Sequence, residues 1–272
     1  MHDDDCVRFL QEYLPKLGYR WKGFRKVRKQ VCKRIRHRLR ELDLSDLPSY
    51  HQYLEIHEEE GQVLDILCNI TISRFYRDQV VFDRLESEIL PLLADQTAQN
   101  QLKQVRCWSV GCCSGEEPFT LQIVWKLSVL PQVETDIPLK IIATDRDCSL
   151  IERAKKGIYP EGVFKDMPPE WKAEAFENRE NNFHIKEFFQ QDVQFLEQDI
   201  RKDMPEGEFE LILCRNLVFT YFQDELQREI FNRMMTKLKP GGFFIVGIHE
   251  SIPVGQNILV PLGKCTYKKK TY

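Results

Sequence analysis

Residues 105–118 have the sequence VRCWSVGCCSGEEP, an apolar run that ends in small residues and continues into a helix beginning near Glu116. Small residues allow a sharp turn and let the backbone approach a ligand closely. Glu116 and Glu117 are favourably placed, because a helix N-terminus stabilises negative charge. Two acids are a poor phosphate cradle, which uses backbone N–H groups and lysine, but they suit a ligand with a cationic group. A capped helix start with solvated acids explains the segment equally well.

Three further apolar runs of strand length follow at 139–145, 209–216 and 243–247. Helical patterns lie between them at 116–130, 147–156 and 224–238. A Lys-Pro-Gly-Gly turn at 239–242 introduces the last strand. Strands that alternate with helices predict a doubly wound, Rossmann-like α/β fold, with a parallel sheet covered on both faces. In such a sheet, ligands bind beyond the carboxyl ends of the strands.

The second strand ends at Asp145. An acid at this position is well placed to accept hydrogen bonds from both ribose hydroxyls of a nucleoside. Dinucleotide enzymes use the same device, so the residue indicates a nucleoside and not a reaction. The alternative is an aspartate that caps the helix beginning near Asp147.

The third strand delivers Arg215 and Asn216 to the edge of the sheet, with Tyr221 a few residues later. Buried polar groups must be paired, so these side chains need partners there. A carboxylate of a ligand or substrate would pair with Arg215. A structural salt bridge would serve equally and is the ordinary explanation for a single arginine.

The first 80 residues have a different pattern and predict a small all-helical N-terminal domain at 1–80, ahead of an α/β domain at 81–272. Apolar residues recur at the four-residue spacing of one helix face at Val27, Val31, Ile35 and Leu39. A helix start is expected at 45–48, and Gly61 is expected to end a helix that spans 50–60.

The stretch 20–40 is crowded with eleven basic residues: Arg20, Lys22, Arg25, Lys26, Arg28, Lys29, Lys33, Arg34, Arg36, Arg38 and Arg40. The net charge of the whole chain is only -3, so the remainder is acidic. Such a helix attracts acidic partners, although a solvated face is the ordinary explanation. Trp21 and Phe24 precede the charge run and do not interleave with it, so nucleic acid is not an expected partner.

The composition excludes several classes of protein. No apolar run approaches the roughly 20 residues that span a bilayer, and residues 1–5 contain His and three Asp, unlike a secretory signal. The nine cysteines are scattered and show no zinc spacing. Reduced thiols, a cytoplasmic location and no metal site are therefore expected.

Taken together, these motifs resemble the chemotaxis receptor (CheR-type) methyltransferase family, whose members methylate receptor glutamates with S-adenosylmethionine. The resemblance covers nearly the whole chain and rests on five pieces in order: 73–78 (SRFYRD), 112–118 (CCSGEEP), 143–145 with 154–159 (ATD and AKKGIY), 214–216 with 221–222 (CRN and YF), and 238–242 (LKPGG). Each piece is weak alone, but five in the right order are strong.

The resemblance implies a role for each matched position. On the donor side, Thr71, Ser73 and Arg77 would lie at the methyl donor, and Gly111 would form part of the donor loop. Ser114 and Glu116 would hold the methionyl part and Asp145 the ribose. Asp199 and Ile200 would flank the adenine, and Asn216 and Leu217 would lie beside the donor. On the acceptor side, the resemblance implies catalytic roles for Arg77, Arg215 and Tyr221.

The resemblance also implies two binding elements for a protein substrate. The basic helix at 25–40 would meet an acidic protein, and a small insertion at about 160–200 is similar to one that binds a receptor tail in some members. The chain departs from the family at Thr71, Ser73 and the doubled cysteine of the donor loop, and it has one extra residue within 217–221. The triplet His249-Glu250-Ser251 permutes the family's usual His-Ser-Glu.

Methyl transfer from a sulfonium needs mainly alignment of donor and acceptor. A carboxylate acceptor is already ionised at neutral pH, so no general base is required. The alternative is a small-molecule methyltransferase with a thiol, amine or carboxylic acid acceptor, for which His249 is the nearest candidate base. A third hypothesis, a donor-binding regulator without catalysis, is disfavoured by the presence of Arg77, Arg215 and Tyr221.

Overall fold

The computed structural model describes residues 3–133, 136–253, 255 and 257–271. They form two compact units. We call Met1–Thr71 together with Thr220–Gln227 the helical unit, and Ile72–Phe219 together with Arg228–Tyr272 the sheet unit. The boundary thus follows residue 71, whereas the sequence pattern had placed it at residue 80. The inclusion of 220–227 in the helical unit has no signature in the sequence.

The helical unit contains α1 (Asp3–Lys16), α2 (Trp21–Phe24), α3 (Arg28–Glu41), α4 (Leu47–Ile56) and α5 (Glu60–Leu67). The helix start expected at 45–48 is confirmed, because the Asp46 carboxylate accepts the N–H of Ser49 and caps α4. The single helix expected over 50–60 is wrong. His57 is extended and ends α4, and Gly61 lies in the first turn of α5 with open space around it, so it performs no capping role.

The segment 220–227 packs within the helical unit through close backbone contacts. The Arg20 N–H donates to the Tyr221 carbonyl at 2.8 Å, and the rings of Phe24 and Tyr221 lie 5.1 Å apart. A Cβ on Gly23 would fall 2.2 Å from the Thr220 carbonyl oxygen, so only glycine permits this approach.

The expectation that all nine cysteines are reduced is wrong for two of them. Cys6 of α1 and Cys32 of α3 form a disulfide across 26 residues of sequence, with their Cα atoms 6.0 Å apart. Packing of α1 against α3 brings the two thiols within bonding range, and the spacing in sequence carries no sign of it. The other seven cysteines are free thiols.

The sheet unit has ten strands: β1 (Val105–Val110), β2 (Leu139–Asp145), β3 (Ile158–Pro160), β4 (Phe176–Arg179), β5 (Asn182–Ile185), β6 (Val193–Glu197), β7 (Phe209–Cys214), β8 (Leu238–Val246), β9 (Leu259–Gly263) and β10 (Thr266–Lys269). Its helices are α6 (Gln79–Arg84), α7 (Leu90–Gln99), α8 (Glu116–Val124), α9 (Cys148–Lys156), α10 (Pro169–Ala175) and α11 (Glu187–Gln190). Two more, α12 (Val218–Tyr221) and α13 (Asp224–Lys237), run across the boundary with the helical unit. Single π-helical turns extend α6 at Leu85–Ile89 and α8 at Trp125–Val129, and 3₁₀ turns lie at Leu130–Gln132 and Glu161–Val163.

The main sheet has seven strands in the order β6-β2-β1-β7-β8-β10-β9. The first five are parallel, whereas β10 and β9 are antiparallel, so the expected parallel sheet ends in a hairpin. The chain winds outward from β1 through β2 to β6, and then in the opposite direction from β7 to β8. Because such crossovers are right-handed, α8 and α9 cover one face and α13 the other. The doubly wound, Rossmann-like α/β fold is confirmed.

The reversal between β1 and β7 is the switch point at which this fold class binds ligands. The register aligns the carboxyl ends of the central strands, since Val110 pairs with both Thr144 and Cys214. The loops after β1, β2 and β7 therefore emerge side by side. The candidate residues in these loops are brought to one edge of the sheet.

A second, three-stranded sheet of order β3-β5-β4 lies within 158–185. This is the stretch expected to hold the small insertion, although β6, at 193–197, returns to the main sheet. The 239–242 turn is also different from the expectation, because it lies inside β8, which begins at Leu238. None of the helices described is long and apolar enough to cross a membrane.

Candidate functional site

The loop between β1 and α8 turns through two glycines with left-handed backbones. Gly111 has φ 69° and Gly115 has φ 90°, a region that side chains disfavour. A Cβ on Gly111 would lie 2.6 Å from the Leu217 side chain. The predicted glycine turn is therefore required both by backbone conformation and by close packing against the loop after β7.

Glu116 opens α8 and is 3% exposed. Burial raises the pKa of its carboxyl, and the Ser73 hydroxyl, the Ser114 N–H and the positive charge of Arg153 oppose that rise. Its Oε2 atom is buried and has no hydrogen-bond partner among the described residues. A buried acceptor without a donor is costly, so this oxygen is suited to a donor supplied by a ligand.

Glu117, the next residue, has the opposite arrangement. One carboxylate oxygen accepts the Ser109 hydroxyl at 2.7 Å, and the other accepts Arg215 at 2.9 Å. Both oxygens are thus engaged by the protein, and Glu117 braces the end of β1 against the end of β7.

Arg215 is held in a buried network and not directed to solvent. Its side chain is 3% exposed, and besides Glu117 it donates to the Asp78 carboxylate at 2.8 Å and to the Arg77 carbonyl at 2.7 Å. The structural salt bridge that the sequence left open is therefore present. Arg215 Nε is buried without a described partner.

The segment 72–78 crosses this edge of the sheet as a loop fixed at several points. The Phe75 ring stacks on Phe164, with centroids 5.0 Å apart, and meets Tyr159 edge-on at 4.9 Å. The Tyr76 N–H donates to the Thr120 hydroxyl at 3.1 Å. Arg77 is half-buried and donates one N–H to the Ile72 carbonyl at 2.6 Å. These contacts hold Ser73 and Arg77 on the same edge as Glu116.

Asp145 closes β2 and is half-buried. Its two oxygens accept the backbone N–H groups of Cys113, at 2.9 Å, and Asp147, at 3.0 Å. Burial raises the pKa of Asp145, and these N–H donors oppose that rise. The capping of α9 is carried out by Asp147, which accepts from Ser149 and Leu150. Asp145 is therefore not the cap, and each of its oxygens keeps a lone pair for a further donor.

Asp199 and Ile200 follow β6 and lie near Asp145, because the Gln198 N–H donates to the Asp145 carbonyl at 2.9 Å. Burial acts to raise the pKa of Asp199, but its ion pair with Arg201 outweighs burial, and the pKa is lowered. The carboxylate of Asp199 is thus occupied by Arg201, with contacts of 2.9 and 2.5 Å. Ile200 is 7% exposed and offers an apolar wall.

Asn216 follows β7 in a left-handed conformation, with φ 55°. Its N–H donates to Glu250 Oε2 at 2.7 Å, and the same oxygen accepts the Gly247 N–H, also at 2.7 Å. No motif of the sequence predicts a role for Glu250. The signal that marks it is the permuted 249–251 triplet, which lies just after a predicted strand.

Strained backbone occurs at this edge. Non-glycine residues with left-handed φ include Tyr76, Asp78, Cys113 and Asn216, all in the loops that border the site. Such conformations cost free energy, and they are maintained where the surrounding structure fixes them. The arrangement is preorganised by its own hydrogen bonds.

Two of the predicted site residues, Thr71 and Tyr221, belong to the helical unit. The Thr71 hydroxyl accepts a hydrogen bond from Arg34 at 3.4 Å. The Tyr221 ring packs on Phe24 and is half-buried. Their expected roles stay predictions.

The basic helix α3 divides its charges between two environments. Arg28 pairs with Asp3, Arg38 pairs with Glu60 and Glu41, and Arg34 binds backbone carbonyls at 67 and 69. A second set is exposed, has no acidic partner among the described residues and recurs at helical spacing on one face. We call it the basic stripe: Lys29, Lys33, Arg36 and Arg40.

The chemistry of the edge fits a nucleoside that carries an ammonium group. Glu116 provides an open anionic acceptor, Asp145 two acceptor oxygens and Ile200 an apolar wall. Within the described parts of the chain, no group of three or more acidic, histidine or cysteine residues has the arrangement of a metal site.

Comparisons with known proteins agree with this chemistry. Residues 71–268 match the family model of the CheR methyltransferase SAM-binding domain. The chain is 30% identical over 227 residues to a chemotaxis protein methyltransferase of Borreliella burgdorferi. The aligned region covers 81% of this chain and 78% of that protein. A chemotaxis protein methyltransferase of Escherichia coli K12 is 28% identical over 234 residues, covering 82% of this chain and 77% of that protein. The plantazolicin methyltransferase BpumL, solved with SAH, has a TM-score of 0.35 at 14% identity, covering 64% and 50% of the two chains; that likeness is too distant to add weight.

Proposed function

The chain belongs to the CheR methyltransferase family and is an S-adenosylmethionine-dependent methyltransferase, and we propose that it methylates a carboxylate, the side chain of a glutamate in an acidic protein. The donor site of this proposal lies at the switch point of the main sheet. The acceptor part rests on Arg77 and on the basic stripe.

The main support for the donor site is the open carboxylate oxygen of Glu116. Its buried and unpartnered Oε2 is suited to the ammonium group of the methionyl part, and Ser73 and Ser114 donate hydrogen bonds to the same carboxylate. Asp145 accepts the two ribose hydroxyls, and Asp199 and Ile200 border the adenine, Ile200 through its side chain. Gly111, Asn216 and Leu217 shape the floor beside the donor, and Thr71 is a further donor-side residue of this proposal.

When bound, S-adenosylmethionine supplies an electrophilic methyl group on a sulfonium. The protein has to align an acceptor with that group, and a glutamate carboxylate needs no base at neutral pH. Arg77 uses one guanidinium N–H on Ile72 and keeps others to orient the acceptor carboxylate. Arg215 acts through its bond to the Arg77 carbonyl as a positioning residue, and Tyr221 contributes a hydroxyl to the acceptor.

The basic stripe supports an acidic protein as the substrate. Four exposed cations on one helix face attract acidic surfaces and raise the rate of encounter, an effect that salt screens. The small sheet at 158–185 is the proposed second docking element. We also propose a cytoplasmic location, against which the Cys6–Cys32 disulfide counts, since a reducing cytosol disfavours such a bond.

The test uses S-adenosylmethionine with a radiolabelled methyl group, the purified chain and a cell lysate separated into protein and small-molecule fractions. Label should enter protein and be released as methanol by mild alkali, because carboxyl methyl esters hydrolyse where methylated amines and thioethers do not. Glu116→Gln should abolish most labelling, and Asp95→Asn, at an exposed position of α7, should leave it unchanged. Label in small molecules, or alkali-stable label in protein, contradicts the proposal.

A further inference from the structure

The loop that follows β8 returns a carboxylate to the edge of the sheet. Glu250 Oε2 accepts the N–H of Asn216, at the end of β7, and the N–H of Gly247, at the end of β8, each at 2.7 Å. A single oxygen atom therefore joins the ends of two adjacent parallel strands. Glycine at position 247 leaves room for this contact. A Cβ there would fall 2.7 Å from the Glu250 oxygen and 2.9 Å from Asn216 Oδ1.

We propose that Glu250 is a positioning residue of the donor site, which holds Asn216 in its left-handed conformation beside the donor. The inference rests on the proposed function, because Asn216 is a donor-side residue only if the donor binds there. Without Glu250, the backbone N–H groups of Asn216 and Gly247 lose their common acceptor, and the left-handed backbone of Asn216, at φ 55°, loses the contact that fixes its position.

The hydrogen-bond geometry allows an experiment to distinguish whether Glu250 acts by positioning Asn216 or through its negative charge. One oxygen accepts both N–H groups, and the amide oxygen of a glutamine can occupy the same place. Glu250→Gln should therefore retain the position of Asn216, whereas Glu250→Ala should lose it. The neighbouring Ser251 is exposed, and Ser251→Ala is the matched control.

The experiment measures the affinity of S-adenosylhomocysteine by titration calorimetry, with a thermal melt of each unliganded variant. We expect Glu250→Ala to weaken binding about tenfold or more, and Glu250→Gln and Ser251→Ala to stay within about threefold of the wild type. In an Asn216→Ala background, Glu250→Ala should add less than about threefold, because the two changes remove one interaction.

Unchanged affinity of Glu250→Ala, a loss in Glu250→Gln as large as in Glu250→Ala, or full additivity with Asn216→Ala would each overturn the inference. If Glu250→Ala does not fold, Gly247→Ala replaces it, since its methyl group displaces the carboxylate and should weaken binding about fivefold or more. A Gly247→Ala protein with wild-type affinity would likewise overturn it. A wild-type protein that does not bind S-adenosylhomocysteine would reject the proposed donor site itself, and that result is distinct from all of these.

Discussion

The carboxyl ends of β1 and β7 both carry a buried charge, yet the two charges are treated differently. At the end of β7, both terminal nitrogens of Arg215 are paired, with Glu117, Asp78 and the Arg77 carbonyl, and its charge is balanced although Nε has no described partner. At the end of β1, Glu116 is equally buried but keeps one oxygen without a partner. The first arrangement ties three segments of the chain together, and the second leaves a place for a ligand.

The difference indicates how architecture and binding are divided at this edge. A paired buried charge contributes mainly to holding its partners, and breaking the pair leaves uncompensated charges. An unpaired buried acceptor destabilises the free protein and is satisfied only when a donor arrives. Loss of Arg215 should therefore affect stability first, and loss of Glu116 should affect binding first.

The largest effect is expected for Arg215→Ala. Removal of the guanidinium leaves the Glu117 and Asp78 carboxylates without their cation, which should lower the free energy of unfolding by about 3–5 kcal/mol. Urea denaturation followed by circular dichroism measures the change. Arg179→Ala removes an exposed ion pair and should cost less than about 1 kcal/mol. Equal losses in the two variants would contradict the architectural role of Arg215.

The next effect concerns the adjacent glutamates. Glu116→Gln should weaken S-adenosylhomocysteine binding by about 1.5–3 kcal/mol, because a neutral amide loses the ion pair with the ligand's ammonium group. Its stability without ligand should not fall, since the buried charge is removed. Glu117→Gln should mainly lower stability. Calorimetric titration and thermal melts of both variants test this contrast. Weaker binding in Glu117→Gln together with lower stability in Glu116→Gln would contradict it.

Asp145→Ala should have effects of both kinds. The carboxylate accepts two backbone N–H groups and is also the proposed ribose acceptor, so binding of S-adenosylhomocysteine should weaken by on the order of 1–3 kcal/mol and stability should decrease. Asp147→Ala removes only the cap of α9 and should lower stability by about 1 kcal/mol, with affinity retained. An unchanged affinity in Asp145→Ala would reject the ribose assignment.

A smaller effect is expected from pH. Burial raises the pKa of Glu116 in the free protein, and an ammonium ligand binds the ionised form, so affinity should fall as the pH decreases through that raised pKa. The pKa of Asp145 is raised as well and acts in the same direction. Titrations between about pH 8 and about pH 5 measure the slope, which should be clearly shallower in Glu116→Gln. An identical slope would remove Glu116 from the ligand contact.

The smallest effect belongs to the basic stripe. The double variant Lys33→Glu and Arg36→Glu should slow methylation of an acidic protein several-fold at low salt and leave S-adenosylhomocysteine binding unchanged. The wild-type rate should also fall as salt rises from about 50 to about 300 mM. Arg28 is paired with Asp3, so Arg28→Glu tests the internal contact and not the stripe. A rate unaffected by salt and by the double variant would favour the small-molecule alternative.

Local patterns predicted the fold where a short stretch of chain determines the outcome. The apolar run of β2 ends at Asp145 as expected, and α9 follows an aspartate cap. The antiparallel strands β9 and β10 were not predicted, because they are short and have no strong periodicity. The pairing that adds β10 to the sheet, with β8, spans about 20 residues of sequence. Gly61 was misinterpreted because a glycine near a helix end has the same appearance whether it ends one helix or lies in the next.

The site was predicted less completely than the fold. The motifs selected Glu116, Asp145, Arg215 and Asn216 as candidates, and the structure places all four at one edge of the sheet. Glu250 was not identified, since its partners are the N–H groups of two strand ends that are distant in sequence. The disulfide between Cys6 and Cys32 was missed for the same reason.

Sequence alone determined the strand–turn–helix that contains the donor loop, because glycine backbone freedom and the preference of acidic residues for a helix N-terminus act over a few residues. It could not distinguish Glu116 from Glu117, which are the same residue type in the same helical turn, about 100° apart around the axis. That rotation directs Glu117 toward Ser109 and Arg215, and leaves Glu116 facing Ser73 with one oxygen open. Only the packing of β7 and the 72–78 loop around α8 decided which glutamate became structure and which became a binding group.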